Sequence, residues 1–280
     1  MKFRNLTLLI AFFAMTFNVA ELKAQASNPL MPDYKRPPIY IGPTIGYNRS
    51  MHSVELKSFA DEALCPVFEN GSSSGFWAGI TWEQPLGELK NSTSSIIVRA
   101  MYSLLPASLE VAGNRYPSYI PIVDQNGVVT GSEIAYSSTV HTNEVTYNIV
   151  SVEACYKLNP FQGMNLGFTI GPTFDYVLTK DHDQQFNLVE PLNAQFKKDA
   201  DSPFEYTNND RTIIVEKGEI PESAPFRLGI KAGVQYEIIL KNRAYVVPAI
   251  YYNFGVTELT SQEDWRVNAL QIGVDVRFAF

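Results

Sequence analysis

Apolar and polar residues alternate along much of this chain with a period of two, which is typical of β-strands whose two faces have different surroundings. The clearest run covers residues 164–178, in which every even-numbered residue is apolar and every odd-numbered residue except Val177 is small or polar. Residues 226–238 and 270–280 repeat the pattern. Five less regular segments follow it, at residues 39–49, 76–84, 96–104, 150–158 and 244–256. The alternation therefore predicts eight strands.

Each predicted strand is long enough to cross the hydrocarbon of a membrane, which takes roughly nine to eleven residues when the strand is tilted. After residue 26 the chain has no apolar run long enough to cross as a helix. Three prolines, Pro43, Pro172 and Pro248, lie inside predicted strands. Because proline has no N–H to donate to a neighbouring strand, we expect a β-bulge at each of them.

The polar faces of the predicted strands carry acids and bases in equal number. The acids are Glu83, Glu153, Asp175, Glu237 and Asp275, and the bases are Arg99, Lys157, Arg227, Lys231 and Arg277. An eight-stranded barrel has an interior just wide enough for side chains to fill it, and buried charges need partners. We therefore expect these residues to form a charge network in the lumen, with the apolar face toward lipid. A soluble lipocalin-like barrel also alternates, but with its apolar face inside.

The predicted connections differ in length according to which end of the barrel they occupy. Residues 50–75, 106–144 and 179–225 form long connections and 258–266 an intermediate one, whereas 85–95, 159–163 and 241–243 are short. Transmembrane barrels have short periplasmic turns and longer external loops. The alternation therefore predicts that both ends of the mature chain lie in the periplasm, which requires an even number of strands.

The first 26 residues have the three-part pattern of a secretory signal peptide. Lys2 and Arg4 give a positive start, residues 6–17 are apolar, and the small residues Ala24 and Ala26 follow. We expect cleavage after Ala26, with Ala24 or Ala20 as alternatives. Residues 27–280 are then one barrel domain.

These features together resemble the outer-membrane β-barrel domain family of Gram-negative bacteria, in the style of PorT-like proteins and the small OmpA/OmpX barrels. The resemblance implies an eight-stranded antiparallel transmembrane β-barrel with short periplasmic turns and long extracellular loops, located in the outer membrane. Its most specific element is the last strand, where Val276, Phe278 and Phe280 share one face. The resemblance implies that these three residues form a signal for the barrel-assembly machinery.

Motifs for catalysis or cofactor binding do not stand out, so we expect neither a cofactor nor an enzyme. The residues Asp181, His182 and Asp183 are candidates for a divalent-metal site, since carboxylates and imidazole are metal ligands. We expect the three histidines, His52, His141 and His182, to be solvated loop residues. The two cysteines, Cys65 and Cys155, are expected to lie too far apart to form a disulfide.

The excess of acidic over basic residues limits the kinds of partner that the chain can bind. The chain has 29 acidic and 22 basic residues, and the acids are concentrated in the predicted external connections. Such loops disfavour nucleic acid as a partner but can bind divalent cations, or bridge through them to lipopolysaccharide. We expect contact with outer-membrane lipid and lipopolysaccharide and an extracellular ligand of unspecified nature. A structural, adhesive or surface-binding role is the first hypothesis; a lipid-modifying enzyme with a rim active site and a narrow channel are the alternatives.

Overall fold

The computed structural model describes residues 39–56, 67–86, 93–161, 164–198, 204–240, 244–261 and 264–280. These residues form thirteen strands. The strands are β1 Tyr40–Leu56, β2 Phe68–Leu86, β3 Ser94–Leu104, β4 Ala107–Ala112, β5 Tyr116–Val123, β6 Val129–Leu158, β7 Leu166–Glu190, β8 Glu205–Thr207, β9 Thr212–Glu219, β10 Phe226–Tyr236, β11 Ile238–Ile239, β12 Ala244–Gly255 and β13 Arg266–Ala279. The predicted signal peptide and Cys65 lie outside the described residues.

Eight of the described strands form a closed antiparallel ring. Going around it, the order is β1, β2, β3, β6, β7, β10, β12 and β13, and β13 pairs back with β1. This confirms the predicted eight-stranded antiparallel barrel. The short strand β11 continues the line of β10 and also pairs with β12. Strands β4, β5, β8 and β9 lie beyond the ring and extend it at one end.

Each of the eight predicted segments coincides with a barrel strand, but several strands are much longer than predicted. Strands β6 and β7 have 30 and 25 residues. The long connections are thus built in large part from strand.

The prediction of β-bulges at the three internal prolines is wrong. The registers of β1 with β2, β7 with β10 and β12 with β13 run through Pro43, Pro172 and Pro248 without a shift. A missing N–H removes a hydrogen bond on one side only, and the neighbouring ladder residues hold the strand in the same register.

The two faces of the barrel wall differ as the alternation predicts. The outward face is apolar and exposed, with Ile45 58%, Ile80 61%, Ile170 57% and Ile272 49% exposed. Aromatic residues lie at both margins of this apolar belt. The margin nearer the long connections has Tyr47, Phe76, Tyr102, Phe174, Tyr176, Phe226, Tyr252 and Phe254; the opposite margin has Trp82, Tyr156, Tyr236, Phe278 and Phe280. A continuous exposed apolar belt with aromatic margins fits a lipid bilayer, so the barrel is a transmembrane one.

The two ends of the barrel are built differently. Ile39 and Phe280 are joined by two backbone hydrogen bonds at one end, which we call the terminal end. The connections between β2 and β3, β6 and β7, and β11 and β12 are short and lie at this end. The opposite end, the loop end, carries the extended strands. Among the described residues there is no helix that is both long and apolar enough to span a membrane.

Candidate functional site

Eight charged side chains form one continuous series of ion pairs in the lumen, which we call the charge chain. The order of contacts is Glu237, Lys157, Glu83, Arg277, Asp275, Arg99, Glu153 and Lys231. The sign alternates at every step, so the charge chain is neutral. Arg99 lies 3.2 Å from Asp275 and 3.5 Å from Glu153. Glu237 has a side chain that is 20% exposed, and the other seven members are buried.

Neutral side chains connect the charge chain to more of the barrel wall. Arg99 donates to the Tyr251 hydroxyl at 2.5 Å, and its guanidinium carbon lies 4.8 Å from the centre of the Tyr251 ring. Lys231 lies 5.4 Å from the same ring centre. The Tyr251 hydroxyl donates to Gln235, and Thr44 donates to Asp275. Through these contacts every barrel strand except β7 supplies at least one side chain.

The two remaining charges of the predicted lumen set form a separate pair on β7 and β10. Arg227 and Asp175 are directly opposite each other and form an ion pair. Arg227 also donates to the carbonyl oxygen of Val267 at 2.7 Å and to Asn253 at 3.3 Å. The barrel therefore brings all ten predicted charges to its interior, and nine of them are buried.

An apolar layer fills the lumen on the loop-end side of the Arg227–Asp175 pair. Its aromatic members are Phe68, Tyr147 and Trp265, and its aliphatic members are Val54, Leu105, Ala107, Leu109, Val145, Ile149, Val177, Ile220, Leu259, Val267 and Ala269. Val267 joins the two regions, since its side chain belongs to the apolar layer and its carbonyl accepts from Arg227. The lumen is thus filled by charge at one level and by apolar side chains at the next.

His52 lies within this layer and is 1% exposed, so the expectation of a solvated loop histidine is wrong. Its Nδ1 lies 3.1 Å from Trp265 Nε1, and its Nε2 lies 2.9 Å from the carbonyl oxygen of Leu105. Because an indole N–H only donates, Nδ1 must accept and Nε2 must carry the proton. Burial lowers the pKa of His52 to about 4. Both nitrogens are engaged, which leaves neither available as a catalytic base.

His141 and His182 are also buried, at 6% and 2% exposed, because β6 and β7 continue past the membrane belt and turn these side chains inward. Burial lowers the pKa of both imidazoles. The His141 ring stacks on Phe186 with ring centres 4.3 Å apart.

The predicted metal ligands do not share one face. Residues Asp181, His182 and Asp183 are consecutive in β7, so the His182 side chain points inward while the two carboxylates point outward. Asp183 pairs with Lys217 at 2.9 Å, and the hydrogen bond from Lys217 lowers the pKa of the Asp183 carboxyl. In the part of the chain that the structure describes, no group of three or more His, Cys, Asp or Glu side chains is placed to hold a metal ion. Cys155 is a buried free thiol.

The strands that continue past the loop end form an outer extension. The distal halves of β6 and β7 pair with each other, β4 and β5 pair successively with β6, and β9 pairs with β7. A second apolar cluster holds this part together: Leu188, Ala194 and Phe196 with Tyr116, Phe186, Tyr206 and Ile213. The extension is therefore a packed β-structure.

The hairpin of β5 and β6 lies within residues 106–144, which the alternation predicts to be a long connection between strands. A signal for it was present, since Asn126-Gly127 lies between two segments rich in β-branched and aromatic residues, and that dipeptide favours tight hairpin turns. Gly127 has a φ of 81°, which glycine adopts without strain. Asp124 accepts hydrogen bonds from the backbone N–H groups of Asn126 and Val128.

The outward face of β6 changes character twice along its length. Nearest the terminal end it is apolar, as part of the membrane belt, up to Val150. It then carries polar residues, namely Asn148, Thr146, Glu144 and Thr142. Near the tip it becomes apolar again at Tyr136 and Ile134, which are 68% and 64% exposed. The second apolar surface is therefore separate from the membrane belt.

The C-terminal residues lie where the ring closes. Phe278 and Phe280 are 46% and 76% exposed on the outward face, and Val276 is partly buried on the same face. The Phe280 amide donates to the carbonyl oxygen of Ile39 at 2.9 Å. This places the predicted assembly signal at the lipid-facing margin of the terminal end.

The chain has distant similarity to solved barrel structures. Ail, the attachment invasion locus protein of Yersinia pestis, is 11% identical over 86% of this chain and 99% of its own, with a TM-score of 0.34. Neisserial surface protein A is 11% identical over 86% and 97%, with a TM-score of 0.33. The outer membrane protease OmpT of Escherichia coli is 8% identical over 90% and 100%, with a TM-score of 0.30. No protein-family model and no curated protein sequence matches the chain. These likenesses are too distant to transfer an activity.

Proposed function

We propose that this chain is an outer-membrane protein of a Gram-negative cell that binds a partner at the cell surface. The barrel is its membrane anchor and the outer extension is its binding part. One observation carries the proposal: the lumen is filled at successive levels, while the strands continue far beyond the apolar belt as a packed structure. The chain then belongs with the small barrels, of the PorT-like or OmpA/OmpX style, that its sequence resembles.

The difference between the two ends of the barrel supports one orientation in the membrane. Short connections are typical of the periplasmic side and long ones of the outside. The terminal end, with Ile39 and Phe280, is therefore periplasmic, as expected of a chain exported by a cleaved signal peptide and inserted by the barrel-assembly machinery. The apolar belt contacts outer-membrane lipid and lipopolysaccharide. The acidic outer extension disfavours nucleic acid as a partner.

The two alternative functions receive less support. Channel linings commonly carry rings of one dominant sign, whereas the charge chain is neutral and its members are paired. A rim enzyme would need a histidine whose ring nitrogen is free to act as a base. His52 has both nitrogens engaged. His141 and His182 are 6% and 2% exposed, so neither imidazole is open to a substrate arriving from outside.

The proposal is tested by removing the hairpin without disturbing the barrel. Tyr116 and Ser137 are paired residues at the base of the hairpin, so residues 117–136 can be replaced by an Asn-Gly turn. Cells that make this variant should lose attachment to protein-coated plates and to one another, while the barrel keeps its heat-dependent gel mobility and shows no conductance in planar bilayers. Unchanged attachment, or stable ion conductance by the wild-type protein, would overturn the proposal.

A further inference from the structure

The hairpin presents an apolar surface that its own chain leaves uncovered. In the register of β5 with β6, one outward face is shared by Pro117, Tyr119, Pro121, Ser132, Ile134 and Tyr136, and we call it the hairpin face. Ile134 and Tyr136 are 64% and 68% exposed. The opposite face contains Tyr116, which packs against the second apolar cluster, and the buried Ser118 and Ser137, whose hydroxyls are hydrogen-bonded to each other.

Lipid does not account for this exposure. Tyr136 lies fourteen residues beyond Val150, the last belt residue of β6, which is about 45 Å along an extended strand. The intervening outward residues of β6 include Asn148, Thr146 and Glu144. A contiguous exposed apolar patch outside a membrane belt marks an interaction site in many proteins.

The free edge of β5 is unsuited to the addition of a further strand. Tyr119 exchanges backbone hydrogen bonds of 2.8 Å with Gln195 on the side away from β6, so Pro117, Tyr119 and Pro121 direct their backbone groups to that edge. Both prolines lack an N–H, and the N–H of Tyr119 is already engaged. Three successive edge positions therefore offer no free donor, and a partner must bind to the face.

The charges around the hairpin face define the partner. Glu110 on β4, Glu144 on β6 and Glu190 on β7, which is paired with Ser138, lie on the same outward surface nearer the membrane, and Asp124 lies in the turn at the tip. Among the described outward residues of β4, β5 and β6 beyond the belt, none is basic, and the connection between β4 and β5 has one exposed base, Arg115. A second copy of this chain would bring like charges together, and so would anionic glycolipid. A cationic partner would meet complementary charge around an apolar centre.

We infer that the hairpin face docks a cationic amphipathic polypeptide, with apolar side chains on Tyr119, Ile134 and Tyr136 and lysine or arginine side chains toward the surrounding carboxylates. This inference rests on the proposed surface-binding function and specifies its partner. The aromatic and proline side chains are stiff, so little conformational entropy is lost when they are covered.

The test uses the full chain in nanodiscs of neutral lipid and a synthetic peptide of alternating leucine and lysine. The wild-type protein should bind the peptide, more weakly at high salt, because salt screens exposed charges.

The double variant Ile134→Ser with Tyr136→Ser should weaken binding of the peptide at least tenfold. The variant Ile122→Ser alters a residue that is 49% exposed on the opposite face of the same hairpin, and should stay within twofold of wild type. The double variant Glu110→Gln with Glu144→Gln should reduce the salt dependence.

Several results would overturn the inference. Polylysine binding as tightly as the amphipathic peptide would show that charge alone is recognised, and equal binding of a leucine–glutamate peptide would show that charge is irrelevant. An equal loss of peptide binding in Ile122→Ser would also contradict it. So would a dimer of the wild-type protein that the double variant Ile134→Ser with Tyr136→Ser dissociates. If cells still need the hairpin for attachment but the wild-type protein does not bind the leucine–lysine peptide, the inferred chemistry of the partner is wrong while the proposed function stands. If attachment does not need the hairpin, the proposed function itself fails.

Discussion

Arg99 on β3 and Asp275 on β13 form a buried ion pair at 3.2 Å, although β2 and β1 separate their strands in the ring. Lys231 and Glu153 similarly join β10 to β6 across β7. These contacts cross the lumen, so they tie together strands that share no backbone hydrogen bonds. Each charge depends on a partner, because water cannot solvate it at this depth.

The first prediction is that Asp275→Asn strongly destabilises the barrel. Asp275 lies between Arg99 and Arg277, and the change leaves both guanidinium groups with one anion fewer. Removing one partner of a buried pair costs about 3–5 kcal/mol. The control is Glu258→Gln, which breaks an exposed pair with Arg266 and should cost less than about 1 kcal/mol. Urea unfolding in lipid vesicles measures both, and equal losses would show that the charge chain contributes little.

The second prediction concerns exposed apolar residues at two depths. Ile230 is 48% exposed in the middle of β10, within the belt, so Ile230→Arg should cost about 2–4 kcal/mol in vesicles. Ile134 is 64% exposed on the hairpin face, and Ile134→Arg should change the unfolding free energy by less than about 0.5 kcal/mol. Similar losses of unfolding free energy in both variants would contradict the position of the membrane belt at Ile230.

The strands of the ring and their faces could be predicted because lipid and a charged lumen are opposite environments, which imposes strict alternation. Residues 164–178 are the clearest example. The partners within the charge chain could not be predicted, since Arg99 and Asp275 are 176 residues apart and meet only through the register of four strands.

The outer extension could not be predicted from the alternation either, for a different reason. Above the belt both faces of β6 contain polar residues, such as His141 and Asn143 inward and Thr142 and Glu144 outward, so alternation of hydrophobicity fades there. The same continuation of strands buries His52, which a loop would have left solvated.

The third prediction concerns the packing of Trp77 against two glycines. Gly46 and Gly273 are opposite each other on β1 and β13. A Cβ at Gly46 would lie 2.4 Å from the carbonyl oxygen of Ile272 and 2.5 Å from the Trp77 ring, and a Cβ at Gly273 would lie 2.3 Å from that ring. Gly46→Ala should therefore cost about 1–3 kcal/mol through overpacking. Gly131→Ala is the control, since the nearest atom to its Cβ is 4.0 Å away. If Trp77→Leu does not lessen the loss in the Gly46→Ala background, the strain lies elsewhere.

The fourth prediction concerns the C-terminus. Deleting Phe280 should reduce the amount of assembled barrel, because this aromatic residue lies at the membrane margin where the last strand closes on Ile39. Heat-dependent gel mobility of membrane fractions measures assembly. Deleting Phe161, which is 50% exposed in a turn at the same end, should have a smaller effect. Normal assembly without Phe280 would refute the role implied by the family resemblance.

The last prediction is a pH dependence of stability that arises at His52. Burial lowers the pKa of this imidazole from 6.5 to about 4 in the folded protein, so the unfolded state takes up a proton first as the pH falls. The contribution is fully present above about pH 6.5 and is lost progressively down to about pH 4, by about 3 kcal/mol in total. Protonation would also place a second donor against the Trp265 N–H.

The lowered pKa values of His141 and His182 change the unfolding free energy with pH in the same direction, so the measurement must isolate His52. In His52→Gln, the amide can still donate to Leu105 and accept from Trp265 but does not titrate. Unfolding free energies of the wild type and the variant should therefore converge between pH 7 and pH 4, and curves that stay parallel over this range would show that His52 does not titrate on unfolding.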